Sequence, residues 1–224
     1  MENYCDNQRT LADALNNLTS QICEPSVAYN LDNRPNGTYT TEDLPLIPDD
    51  VRVELIDGYL FVMEAPTVRH QDVIGELYFS IRSYIKKKKG PCKVILSPVD
   101  VRLNKDNRTM VQPDLIVICD PKQNTGKNIY GAPDFVVEVL SPYTIRKDRI
   151  LKLNKYWKAG VKEYWIFDPK KELVSVYQFI DKDIDYVLNT YTFKDKIPVG
   201  IYEDLYIDFS EFDLSEIKAK AFDD

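Results

Sequence analysis

Two short apolar runs in the middle of the chain, each accompanied by one acidic residue, constrain the fold more than any other feature. Asp114 comes directly before the run at residues 115–119, and Glu138 lies inside the run at residues 135–140. Runs of this length are typical of strands that are buried on both faces of a sheet. A carboxylate in such a place is costly to bury unless a cation or hydrogen bonds compensate it. The sequence therefore predicts a central sheet that carries a polar site.

The spacing of the two acids predicts that they meet. Asp114 and Glu138 are 24 residues apart (138 − 114), which is enough for a strand, a loop and a neighbouring strand. Carboxylate oxygens at one sheet edge favour Mg²⁺ or Mn²⁺. The basic segment that follows could supply Lys152 as the charge partner of a phosphate. Each acid alone has an ordinary alternative as a turn residue or the partner of a lysine, because most single charges are exposed or paired.

Length and charge limit the classes of protein. A chain of 224 residues is long enough for one domain with an extra segment. The net charge of −7 means that a nucleic-acid-binding protein with this composition would need a local basic surface. No apolar run approaches the length of a membrane span, and the N-terminus lacks a signal-peptide core, so we expect no membrane contact.

The number and spacing of the cysteines indicate in which cellular compartment the protein is expected. The chain has four: Cys5, Cys23, Cys92 and Cys119. None forms a C-x-x-C pair, and Cys119 ends a predicted buried strand, so the set suits a reducing cytosol better than a disulfide scaffold. We therefore expect a cytoplasmic protein.

Three segments are predicted. Residues 1–36 are an N-terminal appendage with an amphipathic helix over 10–22 and a linker, residues 37–210 form the main domain, and residues 211–224 are a tail. The helix carries a stripe of apolar side chains (Leu11, Leu15, Leu18 and Ile22). The stripe either docks on its own domain or makes a dimer contact.

A hairpin and a long helix precede the central runs. Asp57-Gly58 between two apolar strands predicts a β-hairpin, on which Glu54 either approaches the metal site or faces solvent. Apolar residues at three- and four-residue spacing over 73–85 predict a helix that ends in four lysines at 86–89. The lysines either complement the helix dipole or bind a phosphate backbone. His70, the only histidine, is either a capping residue or a proton carrier near the site.

The rest of the chain alternates strands and one further helix. Residues 93–96 and 99–103 suggest a pair of strands, and later strands are predicted at 163–168, 173–180, 186–193 and 205–209. The helix begins at about Lys147, with Ile150, Leu153 and Trp157 on an apolar face. Asp148, Lys152 and Tyr156 are four residues apart on another face, so all three can face the same place.

Six motifs in this order resemble the Uma-two family of restriction endonucleases, in the PD-(D/E)xK nuclease superfamily. They lie at residues 54–58, 70–71, 112–114, 138–142, 148–156 and 160–168. The resemblance covers residues 39–179. It implies an α/β (α+β) fold with a restriction-endonuclease-like core, a mixed β-sheet flanked by helices and an N-terminal β-hairpin.

The resemblance also implies a divalent metal between Asp114 and Glu138, helped by a strand carbonyl such as that of Val139. In the superfamily's usual pattern a lysine stands two residues after the second acid, where this chain has Leu140. Lys152, on the following helix, is the candidate replacement, and Lys155 is the reserve. Lys155 is rotated by about 300° from Lys152 at roughly 100° per residue, so Lys152 is favoured.

The expected activity is metal-dependent cleavage of nucleic acid, most simply DNA. Lys152 would orient the attacking water or stabilise developing charge, Glu54 and His70 would complete the metal or water shell, and Tyr156 would steer Lys152. The alternatives are a non-catalytic module that binds nucleic acid or protein, and a metal-dependent hydrolase of another substrate. Nothing in the sequence decides DNA over RNA, the strand form or the recognised sequence. A homodimer would suit the cleavage of two strands.

Overall fold

A computed structural model describes Tyr29 and residues 31–32, 34–104, 106–181 and 185–212, with only the backbone of residues 181 and 185. The predicted amphipathic helix at 10–22 and most of the C-terminal tail lie outside the described residues. The proposed segment boundaries therefore stay predictions.

The described chain contains twelve strands and two α-helices. The strands are β1 (Val53–Ile56), β2 (Tyr59–Val62), β3 (Lys93–Leu96), β4 (Val101–Arg102), β5 (Leu115–Ile118), β6 (Ile129–Tyr130), β7 (Phe135–Val139), β8 (Glu163–Asp168), β9 (Leu173–Asp181), β10 (Asp185–Thr192), β11 (Lys196–Pro198) and β12 (Tyr206–Asp208). The helices are α1 (Val68–Lys88) and α2 (Leu153–Ala159), the latter directly preceded by a π-helical turn, Lys147–Lys152. Short 3₁₀ helices cover Leu44–Leu46, Pro121–Gln123 and Phe209–Glu211.

Six strands form the central sheet in the order β10-β9-β8-β7-β5-β3. Only the β7–β8 pair is parallel, so the sheet is mixed and the predicted α/β (α+β) class is confirmed. Every residue of β5, β7 and β8 is buried, which confirms that the apolar runs are strands covered on both faces.

The two faces of the sheet are covered by different elements. α1 packs one apolar side, including Val73, Leu77 and Ile81, onto the first face. The β1–β2 hairpin and α2 cover the second face, where Phe61 and Tyr156 belong to one buried cluster. The hairpin turns at Asp57 (φ 53°) and Gly58 (φ 84°), the positive pair that a tight two-residue turn requires.

The predicted pairing of residues 93–96 with 99–103 is wrong. β3 pairs with β5, while β4 pairs with β6 and exchanges backbone hydrogen bonds with Val111. Which strands pair is decided by contacts between distant parts of the chain, and these are not visible in a local pattern.

The buried face of the second helical segment is the one that carries Lys152 and Tyr156. Ile150 is 39% exposed, whereas Lys152 and Tyr156 are 2% and 0% exposed. This charged face points into the protein because Lys152 finds two buried carboxylates there, those of Glu54 and Glu138.

Two of the cysteines are bonded, against the expectation from their spacing. A disulfide joins Cys92 and Cys119, which flank the paired strands β3 and β5. The cysteine argument for a reducing cytosol therefore fails, and a cytoplasmic location stays a prediction. None of the helices in the described part of the chain is long and apolar enough to span a membrane.

Candidate active site

Asp114 and Glu138 lie opposite each other on neighbouring strands. In the antiparallel β5–β7 pair Leu115 faces Val137, and one further step of this register places Asp114 opposite Glu138. Residues opposite one another project from the same face of a sheet. The two acids therefore converge as their spacing predicts.

The carboxylate of Asp114 is held by two neighbours. Its Oδ2 accepts a hydrogen bond from the backbone N–H of Val139 at 2.8 Å and lies 3.1 Å from Nε2 of His70. His70 reaches Asp114 because it stands in the first turn of α1, where Thr67 caps the helix by accepting from the His70 N–H at 3.2 Å. The predicted histidine thus contacts the predicted acid and is also part of the capped turn.

Glu138 is held through a single oxygen. Oε1 accepts from Lys152 Nζ at 2.7 Å and from the hydroxyl of Tyr156 at 2.7 Å. Tyr156 was expected to steer Lys152, but its hydrogen bond goes to Glu138, which Lys152 also contacts. Tyr156 and Lys152 therefore fix the same carboxylate.

Glu54, buried on β1, binds two lysines. Oε1 lies 2.6 Å from Lys152 Nζ and accepts from the Gln112 N–H at 2.9 Å. Oε2 accepts from Lys147 Nζ at 2.6 Å. Both oxygens are thus engaged, so Glu54 anchors the lysines rather than standing free for a metal ion.

Asp148 is the last carboxylate of the cluster, and one of its oxygens has no hydrogen-bond partner. Its Oδ1 lies 3.6 Å from Lys152 Nζ and has no hydrogen-bond partner, although the side chain is buried. The Asp148 backbone carbonyl accepts from the hydroxyl of Tyr164 at 3.2 Å.

The π-helical turn explains how both lysines reach the cluster. Residues five apart, such as Lys147 and Lys152, would be about 140° apart on a regular α-helix. A π-turn bonds residue i to i+5 and brings such residues onto the same side, and turns of this kind are frequent at functional sites. Sequence analysis missed Lys147 for this reason.

Ion pairing decides the charge state of Glu54 and of Lys152. Burial alone would raise the pKa of Glu54, but Lys147 and Lys152 outweigh it and lower the pKa to about 2. Burial alone would lower the pKa of Lys152, but the surrounding carboxylates raise it well above its usual range. Both groups are therefore charged at neutral pH.

The pKa values of Glu138 and Asp148 shift in the opposite direction, upward. Burial raises the pKa of Glu138 well above its usual range despite the opposing charge of Lys152, because further carboxylates lie close by. Burial also raises the pKa of Asp148. The cluster is thus short of positive charge.

A count of charges gives the size of this deficit. The cluster comprises Asp114, Glu138, Glu54 and Asp148 against Lys147 and Lys152. With His70 neutral beside Asp114, four carboxyl groups against two ammonium groups leave two negative charges uncompensated at full ionisation, which is the charge that one divalent cation supplies.

The free oxygens suit such an ion. The hydrogen bonds of Asp114 use Oδ2 and those of Glu138 use Oε1, leaving Asp114 Oδ1 and Glu138 Oε2 for a cation. Within the described ranges, no group of three or more His, Cys, Asp or Glu side chains is arranged to hold a metal. An ion here would therefore bind two carboxylates and complete its shell with water and substrate oxygens, as Mg²⁺ commonly does.

The reserve lysine is placed elsewhere. Lys155 pairs with Asp57 at the hairpin turn. The structure thus brings together Asp114, Glu138, Lys152, Glu54, His70, Tyr156 and the backbone of Val139, and excludes Lys155 from the group. Asp148 joins Lys152 as their shared helix face predicts, and besides Lys147 the structure adds the Gln112 N–H, which the motifs contained without indicating its contact.

Comparison with known proteins identifies the family of the chain. The sequence model of the family described as "Putative restriction endonuclease" (Uma2) matches residues 39–204, about three quarters of the chain. The chain belongs to the Uma2 family. The Uma-two resemblance of the motifs is therefore confirmed.

The chain is also similar to one curated protein sequence and to one solved structure. An "Uncharacterized protein" of Synechocystis, slr1290, is 26% identical over 146 residues, which are 64% of this chain and 74% of the relative. A solved structure described as "a putative nuclease belonging to DUF820" from Anabaena variabilis is 20% identical, with a TM-score of 0.59 over 76% of this chain and 95% of that one. The structural likeness shows that the two chains share a fold.

Proposed function

We propose that the chain is a Mg²⁺- or Mn²⁺-dependent endonuclease that hydrolyses phosphodiester bonds in DNA. The observation that carries the proposal is the register that sets Asp114 opposite Glu138, within a cluster of four carboxyl groups and two lysines. Membership of a family described as restriction endonucleases supports the same reaction class.

Asp114 Oδ1, Glu138 Oε2 and the Val139 carbonyl would hold the ion. When bound, a divalent ion neutralises charge on the scissile phosphate and makes a water more acidic. His70 and the Val139 N–H keep Asp114 in place, and Tyr156 and Lys152 do the same for Glu138. Rigid ligands of this kind need no rearrangement on binding.

Lys152 has a second part in the reaction. Two of its three N–H groups are engaged by Glu138 and Glu54, and Asp148 lies too far for a normal hydrogen bond. The third N–H would orient the attacking water or stabilise charge that develops on the phosphate. The water loses a proton as its oxygen bonds to phosphorus, the P–O bond to the leaving nucleotide breaks, and the leaving oxygen takes up a proton.

A cleavage assay tests the proposal. Purified protein is incubated with supercoiled plasmid, linear duplex and single-stranded DNA in Mg²⁺, Mn²⁺ or EDTA, beside Asp114→Asn, Glu138→Gln and the control Lys155→Ala. We expect cleavage that needs the ion, is lost in the first two variants and persists in the control. Cleavage by a folded Glu138→Gln variant would overturn the site, and cleavage in EDTA would overturn the metal requirement.

Two further measurements cover the alternatives. Calorimetric titration with Mg²⁺ separates the enzyme from a non-catalytic module, because a module has no need of the ion. An RNA substrate of the same sequence tests the choice of DNA. Light scattering tests the predicted homodimer, in which two sites would serve the two strands of a duplex.

A further inference from the structure

We propose that the exposed end of α1 and the start of β3 form a second nucleic-acid contact, which binds a single-stranded segment. This surface, the basic hollow, is lined by Phe79, Arg82, Lys86, Lys89, Cys92 and Lys93 and encloses about 590 Å³. The inference rests on the proposed function only in treating the bound strand as substrate.

Within the described part of the chain, the charges of the hollow are not neutralised by carboxylates. Among residues 34–104, 106–181 and 185–212, no carboxylate forms an ion pair with Arg82, Lys86, Lys87, Lys89 or Lys93. Lys88, by contrast, is paired with Asp204. On a chain with a net charge of −7, a group of unpaired cations is a local exception that attracts polyanions.

The helix dipole explains only part of this cluster. Lys86, Lys87 and Lys88 lie in the last turn of α1, where cations are favourable. Arg82 lies before that turn and Lys93 lies on β3, beyond the reach of the dipole. Arg82 and Lys86 are also four residues apart, a like-charge spacing that weakens a helix. The positions of Arg82 and Lys93 are therefore not explained by helix stability.

An aromatic ring stands among the cations. Phe79 is 68% exposed although α1 buries five apolar side chains elsewhere. It is three residues from Arg82 and seven from Lys86, so the three share the outer face of α1. Cations beside an exposed aromatic ring are the combination that binds single strands, because phosphates meet the cations while an unpaired base stacks on the ring.

The hollow and the carboxylate cluster lie at opposite ends of α1. His70 in the first turn contacts Asp114, and Lys86 stands in the last turn. A helix of 21 residues is about 30 Å long. A substrate that contacts both surfaces must therefore span about 30 Å.

Fluorescence anisotropy tests the hollow without any need for cleavage. A labelled 20-nucleotide oligo-dT is titrated with protein in EDTA, in the Glu138→Gln background, at several salt concentrations. The variants are Arg82→Glu, Lys86→Glu and Phe79→Ala, and the matched control is Lys158→Glu, an exposed lysine on α2 across the sheet. Circular dichroism confirms that each variant is folded.

We expect both charge reversals to raise the Kd about fivefold or more and to flatten the dependence of log Kd on log salt by about 0.7 per lost phosphate contact. Phe79→Ala is expected to raise the Kd about fivefold with an unchanged salt slope, because it removes stacking and not charge. Equal binding by Lys86→Glu and Lys158→Glu would overturn the proposal, and so would tighter binding of duplex than of single strand.

The outcomes separate this proposal from the nuclease itself. Binding that depends on the hollow, together with no cleavage by the wild-type protein, would support the hollow and contradict the endonuclease. If the wild-type protein cleaves DNA in a metal-dependent way, but none of the three substitutions changes oligonucleotide binding, the endonuclease is supported and the hollow is rejected as a binding surface.

Discussion

The Nζ atom of Lys152 lies between two buried carboxylates, 2.6 Å from Glu54 Oε1 and 2.7 Å from Glu138 Oε1. Through this one atom the helical segment ties the β1–β2 hairpin to the central sheet. The hairpin, the central sheet and the helical segment are therefore joined at the ammonium group of Lys152. A group in this position serves the stability of the fold and the chemistry of the site together.

Lys152→Met should destabilise the protein strongly. The variant removes a buried cation and leaves Glu54 and Glu138 without their shared partner, which typically costs about 3–5 kcal/mol. Lys155→Met is the control, since its pair with Asp57 is partly exposed and such pairs contribute within about 1 kcal/mol. Urea unfolding at pH 7 measures both. Equal free energies of unfolding for the two variants would contradict this account of Lys152.

His70→Ala should weaken metal binding without removing a ligand. His70 holds Asp114 Oδ2, and loss of such an outer partner commonly costs about 10–100-fold in metal affinity or activity. The backbone cap by Thr67 is unchanged, so α1 should keep its start. Gln71→Ala, an exposed neighbour on the same helix, is the control. Calorimetry with Mg²⁺ gives the two affinities, and an unaltered Kd for His70→Ala would show that Asp114 needs no such support.

Glu163, at the start of β8, should make stability depend on pH. Burial raises its pKa from 4.5 to about 7, although its oxygens accept from Trp165 Nε1 at 2.5 Å and from the Ile201 N–H at 3.0 Å. Between pH 4.5 and 7 the folded state holds a proton that the unfolded state has released. The contribution of Glu163 to stability therefore falls as pH rises through this window, by about 3 kcal/mol at 1.36 kcal/mol per pKa unit.

The measurement compares slopes rather than absolute stabilities. The free energy of unfolding is determined by urea at pH 5 and pH 8 for the wild type, for Glu163→Gln and for the exposed control Glu203→Gln. The wild type and the control should lose about 3 kcal/mol more than Glu163→Gln over this range. Parallel pH profiles for all three proteins would show that Glu163 releases its proton near the ordinary value.

How far the sequence predicted this molecule depends on whether the decisive contacts are local. Asp57-Gly58 encodes its own turn, and the run before Glu138 encodes a buried strand, so hairpin and sheet could be foreseen. The meeting of Asp114 and Glu138 could be foreseen because their separation of 24 residues is enough for a strand, a loop and a neighbouring strand.

The missed features depend on contacts across the chain. Lys147 joins the cluster only through a π-turn, whose five-residue register an α-helical wheel cannot show. The exposed position of Ile150 and the buried one of Lys152 reverse the apolar pattern, because Glu54 from a distant hairpin compensates the lysine. The partner of β3 is likewise set by β5 and not by the adjacent run.

The Cys92–Cys119 disulfide should stabilise the edge of the sheet. It closes a loop of 27 residues, for which chain-entropy arguments give about 3–4 kcal/mol. For a protein of this size we expect reduction to lower the Tm by about 10 °C. Thermal unfolding with and without a phosphine reductant measures the shift, and a Cys92→Ala/Cys119→Ala variant should melt at the lower temperature under both conditions. Peptide mapping under non-reducing conditions should recover the two cysteines in one linked species. If the wild-type Tm is the same with and without the reductant, and both cysteines react with an alkylating reagent, then β3 and β5 pair without the disulfide.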